Sequence, residues 1–266
     1  MSKSKFILMD GAMGTMLLAH GVPLGTCFEA LNLSRPELIR EIHRSYAGAG
    51  AEVLVANTFG ANRPRLSNHR LAGRLEAINR AGIRLARQSA GRRRVFASIG
   101  PLGQAAKRMS FPQMFQSFKE QALALEKESP SGYVIETMTS LTEAEAATAA
   151  ARQVSDGTVL ALLARPLRLT PETAELAAAT LRSAGADVLG ANCGASPEDA
   201  FSLLQALRRA DEGPFAARIS GGLPGHTLSP AEFAGWGLRF KKLGCTWIGG
   251  CCGTTPAHIR EFKRSL

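Results

Sequence analysis

Near the C-terminus, Gly249-Gly250-Cys251-Cys252-Gly253-Thr254-Thr255-Pro256 places two adjacent thiols in a glycine-rich turn. The turn lies between the apolar run Thr246-Trp247-Ile248 and a helix start at Pro256. A third thiol, Cys193, follows a similar run, Asp187-Val188-Leu189-Gly190-Ala191-Asn192. Three cysteines at the ends of two strand-like runs suit a three-thiolate zinc site with one coordination position left open for chemistry. Two blander readings fit the same spacing. Small thiols pack well as buried apolar groups, and Cys193 can pair with one of the two others, whereas the adjacent pair would close a strained ring. No CxxC is present, so the spacing is not that of a zinc ribbon or finger.

Other polar residues recur at the ends of strand-like runs. Asp10-Gly11-Ala12-Met13-Gly14-Thr15 follows the first run, Asn57-Thr58 the second, Glu136-Thr137 the fourth, and Asn192 immediately precedes Cys193. Taken singly, Asp10 or Glu136 serves equally well as a cap for the next helix. Together with a metal they outline a pocket in which carboxylates face an ammonium group and the amides after Asp10 face a carboxylate. An amino acid fits that pairing.

Positioning such a set requires strands that end on one rim. Eight short runs read as strands: Phe6–Met9, Glu52–Ala56, Val95–Ile99, Tyr133–Glu136, Thr158–Leu163, Asp187–Gly190, Ala217–Ser220 and Thr246–Gly249. The stretches between them are helical by period and by their caps. Ser34-Arg35-Pro36-Glu37 and Ser229-Pro230-Ala231-Glu232 read as capping boxes. Thr170-Pro171, Ser196-Pro197 and Thr255-Pro256 place proline at a first helical position. Leu38, Ile39, Ile42 and Tyr46 share one face of a helix that stops at Gly48 and Gly50. Eight strand–helix units of roughly 33 residues match a single-domain (β/α)8 TIM barrel, an α/β fold spanning residues 1–266. An open doubly wound sheet is the alternative. In a barrel Cys193 and the Cys251-Cys252 pair meet on the rim of strand carboxyl ends, which favours the zinc reading.

Composition sets the outer bounds. The 266 residues are 45% hydrophobic and 20% charged, enough for a substantial core. The opening Met1-Ser2-Lys3-Ser4-Lys5 precedes an apolar run too short for a signal segment, and no later stretch has the length of a membrane span. With five cysteines and no secretory signal, the expected compartment is the reducing cytoplasm. The net charge is +10, and the stretch from Arg63 to Arg94 is dense in arginine against one acid, Glu76. That stretch reads as a solvated helix face or as a docking surface for an acidic partner. It lacks the interleaved aromatics and motifs of a nucleic-acid binder. Cys245 reads as core, Cys27 has no assigned role, and the five histidines show no mutual ligand spacing; His226 reads as a loop residue. Trp236 and Trp247 suggest no aromatic cage for a quaternary ammonium donor.

In order and spacing, the Asp10–Thr15 segment, Ala56-Asn57-Thr58-Phe59-Gly60, Ile135-Glu136-Thr137, Gly190-Ala191-Asn192-Cys193 and Gly249–Pro256 resemble the homocysteine S-methyltransferase family. The likeness spans essentially the whole chain. Within the family it is nearest to the homocysteine-binding module of cobalamin-dependent methionine synthases, through Leu33-Ser34-Arg35-Pro36-Glu37 and Gly222-Leu223-Pro224. The resemblance implies a zinc enzyme on a (β/α)8 barrel, with Zn(2+) on Cys193, Cys251 and Cys252. It implies the homocysteine ammonium near Asp10 and Glu136, its carboxylate near the amides of Gly11, Ala12 and Met13, and Thr58 and Asn192 in the same pocket. Zinc would hold the substrate sulfur as a thiolate, which a free thiol near pKa 8.5 is not at neutral pH.

The methyl donor is less clearly marked. Leu160-Ala161-Leu162-Leu163-Ala164-Arg165-Pro166 replaces the polar strand end usual in the family, Ser220 stands where methionine synthases tend to have asparagine, and the segment after Pro101 is shorter. No folate- or corrinoid-binding module is recognisable. The expected donor is methylcobalamin on a separate corrinoid protein, with S-methylmethionine or betaine, or another acceptor thiol, as alternatives. A non-catalytic barrel within a methyl-transfer complex is the reading from another class.

Overall fold

The computed structural model describes residues 6–167, 169–194, 196–223 and 226–266. The segments Met1–Lys5 and Pro224-Gly225, on which the leader reading and part of the loop before His226 rest, lie outside them. Eight strands carry the architecture: β1 (Ile7–Leu8), β2 (Val53–Val55), β3 (Arg94–Ile99), β4 (Gly132–Met138), β5 (Thr158–Leu163), β6 (Val188–Asn192), β7 (Phe215–Ile219) and β8 (Cys245–Gly250). They pair in the order β1-β8-β7-β6-β5-β4-β3-β2, every pair parallel. A parallel bridge between Met9 and Val53 joins β1 to β2 and closes the sheet. With helices between successive strands, the fold is a (β/α)8 barrel.

Both faces of each strand are apolar because both are covered. Met9, Val55, Phe96, Val134, Leu160 and Leu162 belong to the cluster that fills the barrel interior. Their alternates, such as Leu54, Ala97, Ile135 and Ala161, pack with Ile39, Ile42, Tyr46 and Phe118 of the surrounding helices. Each such large side chain contributes about 1.5–3 kcal/mol by leaving water. Gly190 lets β6 lie close to its neighbours, since a Cβ there would stand 2.2 Å from the Ala216 carbonyl oxygen and 2.5 Å from Leu162 Cδ2.

The local signals acted mostly as read. Ser229 caps the helix Pro230–Leu243 reciprocally with Glu232, and prolines open the helices Pro171–Ser183, Pro197–Ala210 and Pro256–Ser265. Ser34 does not cap the next helix. It ends the short helix Leu31–Ser34 and donates to the Ala30 carbonyl, while Arg35 occupies the cap of Pro36–Gly48 without a side-chain bond. The preceding helix holds Ser34 one position too early to serve as cap.

Much of the arginine-rich stretch is tied down. Arg63 pairs with Glu120, Arg80 and Arg84 with Glu128, and Arg93 donates to the Ala47 and Ala51 carbonyls. Among the described residues no helix is long and apolar enough to cross a membrane.

Candidate active site

Period-two alternation dictates which strand-end side chains enter the barrel mouth. Phe96 and Val134 point inward, so Ser98 and Glu136, two residues further on, do the same. Arg218 follows the inward Ala216 by two, Asn192 follows Val188 by four, and Cys251 follows Trp247 by four. These five form the last inward layer, on the carboxyl rim where barrel active sites lie. A cavity of about 240 Å³ opens above that layer.

The three cysteine sulfurs converge there, all within 4.8 Å of one another. Cys193 Sγ and Cys252 Sγ are 3.6 Å apart. A tetrahedral zinc with Zn–S of about 2.3 Å requires sulfur–sulfur edges of about 3.8 Å, so the donor set fits the metal. The backbone places these sulfurs. The Cys193 amide donates to the Arg218 carbonyl at 3.2 Å, the Cys251 amide to the Ile219 carbonyl at 2.7 Å, and the Cys252 carbonyl accepts from Gly221 at 2.6 Å. Cys193 has φ 60°, a left-handed conformation that costs a non-glycine residue about 1–3 kcal/mol and clusters at functional sites. Thr137 shares it at φ 62°, beside a register irregularity in the β4–β5 pairing. The three thiols also share protons. Hydrogen bonding to Cys251 and Cys252 drives the Cys193 thiol far up, and bonds from Cys193 and Cys251 drive Cys252 down.

Asn192 serves this arrangement from below. Its Oδ1 accepts from the Thr137 amide at 2.7 Å, and its Nδ2 reaches Thr137 Oγ1 at 2.9 Å and Cys251 Sγ at 3.7 Å. Thr58 is fully buried, and its hydroxyl exchanges hydrogen bonds with the Ser98 backbone at 2.8 and 3.0 Å. Neither Asn192 nor Thr58 lines the cavity, whereas Gly11, Ala12, Met13, Glu136 and the three cysteines do. Asp10 lies behind the wall. Its Oδ2 accepts from the Val55 amide at 2.7 Å, and its Oδ1 faces Arg218 Nη2 at 3.2 Å.

Arg218 went unread in the sequence. It is 5% exposed and stands between the two acids, with Nε 3.6 Å from Glu136 Oε2. Burial opposes its charge, but Glu136 and Asp10 outweigh that effect and hold its pKa up. At the acids, by contrast, burial prevails. It raises Glu136 despite Arg218, and it pushes Asp10 up to about 7 against the same guanidinium. The signal was available: a lone charge at the end of the run Phe215-Ala216-Ala217-Arg218-Ile219, on the inward parity. Glu29 also lines the cavity, and its Oε1 accepts from the Gly60 amide at 2.6 Å. Phe28 and Phe59 complete the apolar part of the wall, and neither tryptophan is part of it.

A (β/α)8 barrel whose carboxyl rim gathers three thiols over a layer of buried charges defines the class of protein. The family follows from comparison: residues 7–266 match the family described as Homocysteine S-methyltransferase, and the chain belongs to that family of methyltransferase enzymes. It is 31% identical to the methionine synthase of Mycobacterium tuberculosis over 97% of this chain and 24% of that protein. A second methionine synthase, from Mycobacterium leprae, is 29% identical over the same shares. The chain thus spans about a quarter of the length of these curated relatives. Among solved structures, the metallated form of the homocysteine methyltransferase MmuM of Escherichia coli superposes with a TM-score of 0.85. That match has 24% identity and covers 99% of this chain and 97% of the other.

Proposed function

We propose that this chain transfers a methyl group to the thiol of homocysteine, giving methionine, with zinc held by Cys193, Cys251 and Cys252. The observation that carries the reading is the convergence of three thiols within 4.8 Å at the mouth of a barrel of this family. Zinc on these sulfurs would keep a fourth, substrate sulfur as a thiolate, and three anionic ligands would leave that sulfur nucleophilic. The chain's own residues do the rest. Asn192 orients Cys251 through its amide, Phe28 and Phe59 keep water from the reacting sulfur, and the buried charges fix the acceptor's polar end. The acceptor thiol gives its proton to solvent on binding; the sulfur lone pair then attacks the methyl carbon in line, and the donor leaves with the electron pair of its bond to that carbon.

Methylcobalamin carried on a corrinoid protein is the donor that the resemblance to cobalamin-dependent synthases supports. Neither Trp236 nor Trp247 lines the cavity, so cation–π contact with a quaternary ammonium donor such as betaine would fall to Phe28 and Phe59. The test is to incubate zinc-loaded protein and homocysteine with methylcobalamin, S-methylmethionine or betaine separately, and to quantify methionine by mass spectrometry. Methionine from methylcobalamin is expected. Methionine from S-methylmethionine alone would reassign the donor, and none from any donor would overturn the activity and favour a non-catalytic subunit.

A further inference from the structure

The buried charges do not leave a simple pocket for an ammonium group. Asp10 is engaged by Val55 and Arg218 and does not reach the cavity wall. Glu136 Oε1 accepts from Ser98 Oγ at 2.5 Å, and its other oxygen faces Arg218. Glu29, the other acid on the wall, accepts from the Gly60 amide and the Cys27 thiol. An ammonium approaching Glu136 therefore also meets the guanidinium of Arg218, which weakens its attraction to that acid. The Ala12 amide, which the sequence reserved for a substrate carboxylate, donates instead to Thr254 Oγ1 at 3.1 Å.

Two atoms of this charge layer, Asp10 Oδ1 and Arg218 Nη1, are buried without a hydrogen-bond partner, and of the two residues only Arg218 lines the cavity. Arg218 Nε and Nη2 donate to the Gly250 and Gly11 carbonyls at 3.2 and 3.3 Å, but Nη1 is buried with no hydrogen-bond partner. Arg218 lines the cavity and keeps its charge at any working pH. A buried, unpaired guanidinium nitrogen is costly, and a carboxylate satisfies it with charge-assisted bonds.

We propose that Arg218 selects the acceptor by taking its carboxylate, so that the substrates are mercapto-carboxylates as a class and the α-ammonium of homocysteine is not required. The proposal rests on the reading of the cysteine cluster as a thiol-binding zinc site. Calorimetric titration of the zinc-loaded protein with homocysteine, 4-mercaptobutanoate (no ammonium) and 3-mercaptopropylamine (no carboxylate) tests it. The first two are expected to bind within about threefold of each other, and the amine at least about tenfold more weakly. The R218Q variant should lose about tenfold for both carboxylates and leave the amine unaffected, while R218K should recover part of the loss. Should R218Q fail to fold, the ranking by the unaltered protein decides. A tenfold loss on removing the ammonium, with none on removing the carboxylate, would overturn the proposal while leaving thiol binding intact. Failure of all three thiols to bind would instead overturn the thiol site itself, and this proposal with it.

Discussion

Replacing Cys193, Cys251 or Cys252 by serine exchanges an anionic sulfur for a neutral hydroxyl, a poor zinc ligand beside thiolates. Each single variant should lose its zinc when metal is measured by plasma mass spectrometry after gel filtration. C27S and C245S should keep about one zinc per chain, because both thiols are buried away from the cluster. Retention of zinc by C193S would discard the ligand assignment. Asp10 gives a second residue-level test. Burial outweighs Arg218 and moves its carboxyl from 3.8 up to about 7, so the folded chain holds this proton more tightly than the unfolded chain does. The stabilisation from Asp10 protonation is therefore full below pH 3.8 and is lost as pH rises through about 7. Urea midpoints of the zinc-free protein should fall more between pH 5.5 and pH 8 than those of D10N. Equal falls would show that Asp10 is not the source. The cysteines and Glu136 were legible because their types at strand ends are distinctive. Arg218 was not, because the expected strand Ala217–Ser220 holds no apolar residue on the parity of Arg218, whereas the observed strand Phe215–Ile219 supplies the inward Ala216 two residues before it.

At the scale of the element, two similar sequence signals diverged. Ser229 and Ser34 each stand three residues before a glutamate with proline at a first helical position, yet only Ser229 makes the reciprocal bonds, with its amide 2.7 Å from Glu232 Oε2. The S229A variant should lose about 1 kcal/mol in urea unfolding, whereas S34A should lie within about 0.5 kcal/mol of the parent. Equal losses would contradict the cap assignment. All eight strands were visible as short β-branched runs, since strands buried on both faces are nearly continuous in apolar residues. Their ends were not. β4 extends to Met138 and β6 to Asn192, because both run into the irregular backbone around Thr137 and Cys193. Of those extra residues Thr137 lines the cavity and Asn192 bonds to it and to Cys251, where local propensity gives way to geometry imposed by tertiary contacts.

For the molecule as a whole, barrel closure turns distant sequence into one site. Cys193 follows β6 and Cys251 follows β8, with β7 and Arg218 between them in the sheet order. A metal on both sides of β7 would tie together strands whose cysteines, Cys193 and Cys252, lie 59 residues apart. Ligands that bind the folded chain alone stabilise it by mass action, about 4 kcal/mol at a thousandfold excess over Kd. A shift of about 2–4 °C in Tm per kcal/mol then places the expected gain near 10 °C on adding zinc to chelator-treated protein. Binding of zinc to cysteines of the unfolded chain would reduce that gain without reversing it. The C252S variant should show little or no shift, while R218Q, which leaves all three cysteines in place, should keep the zinc-dependent gain. Scanning calorimetry of the three proteins with and without zinc separates the cases. A gain in the parent that C252S retains would place the metal outside the three-cysteine cluster. Its loss in R218Q would make the arginine part of the cluster's scaffold rather than of acceptor selection.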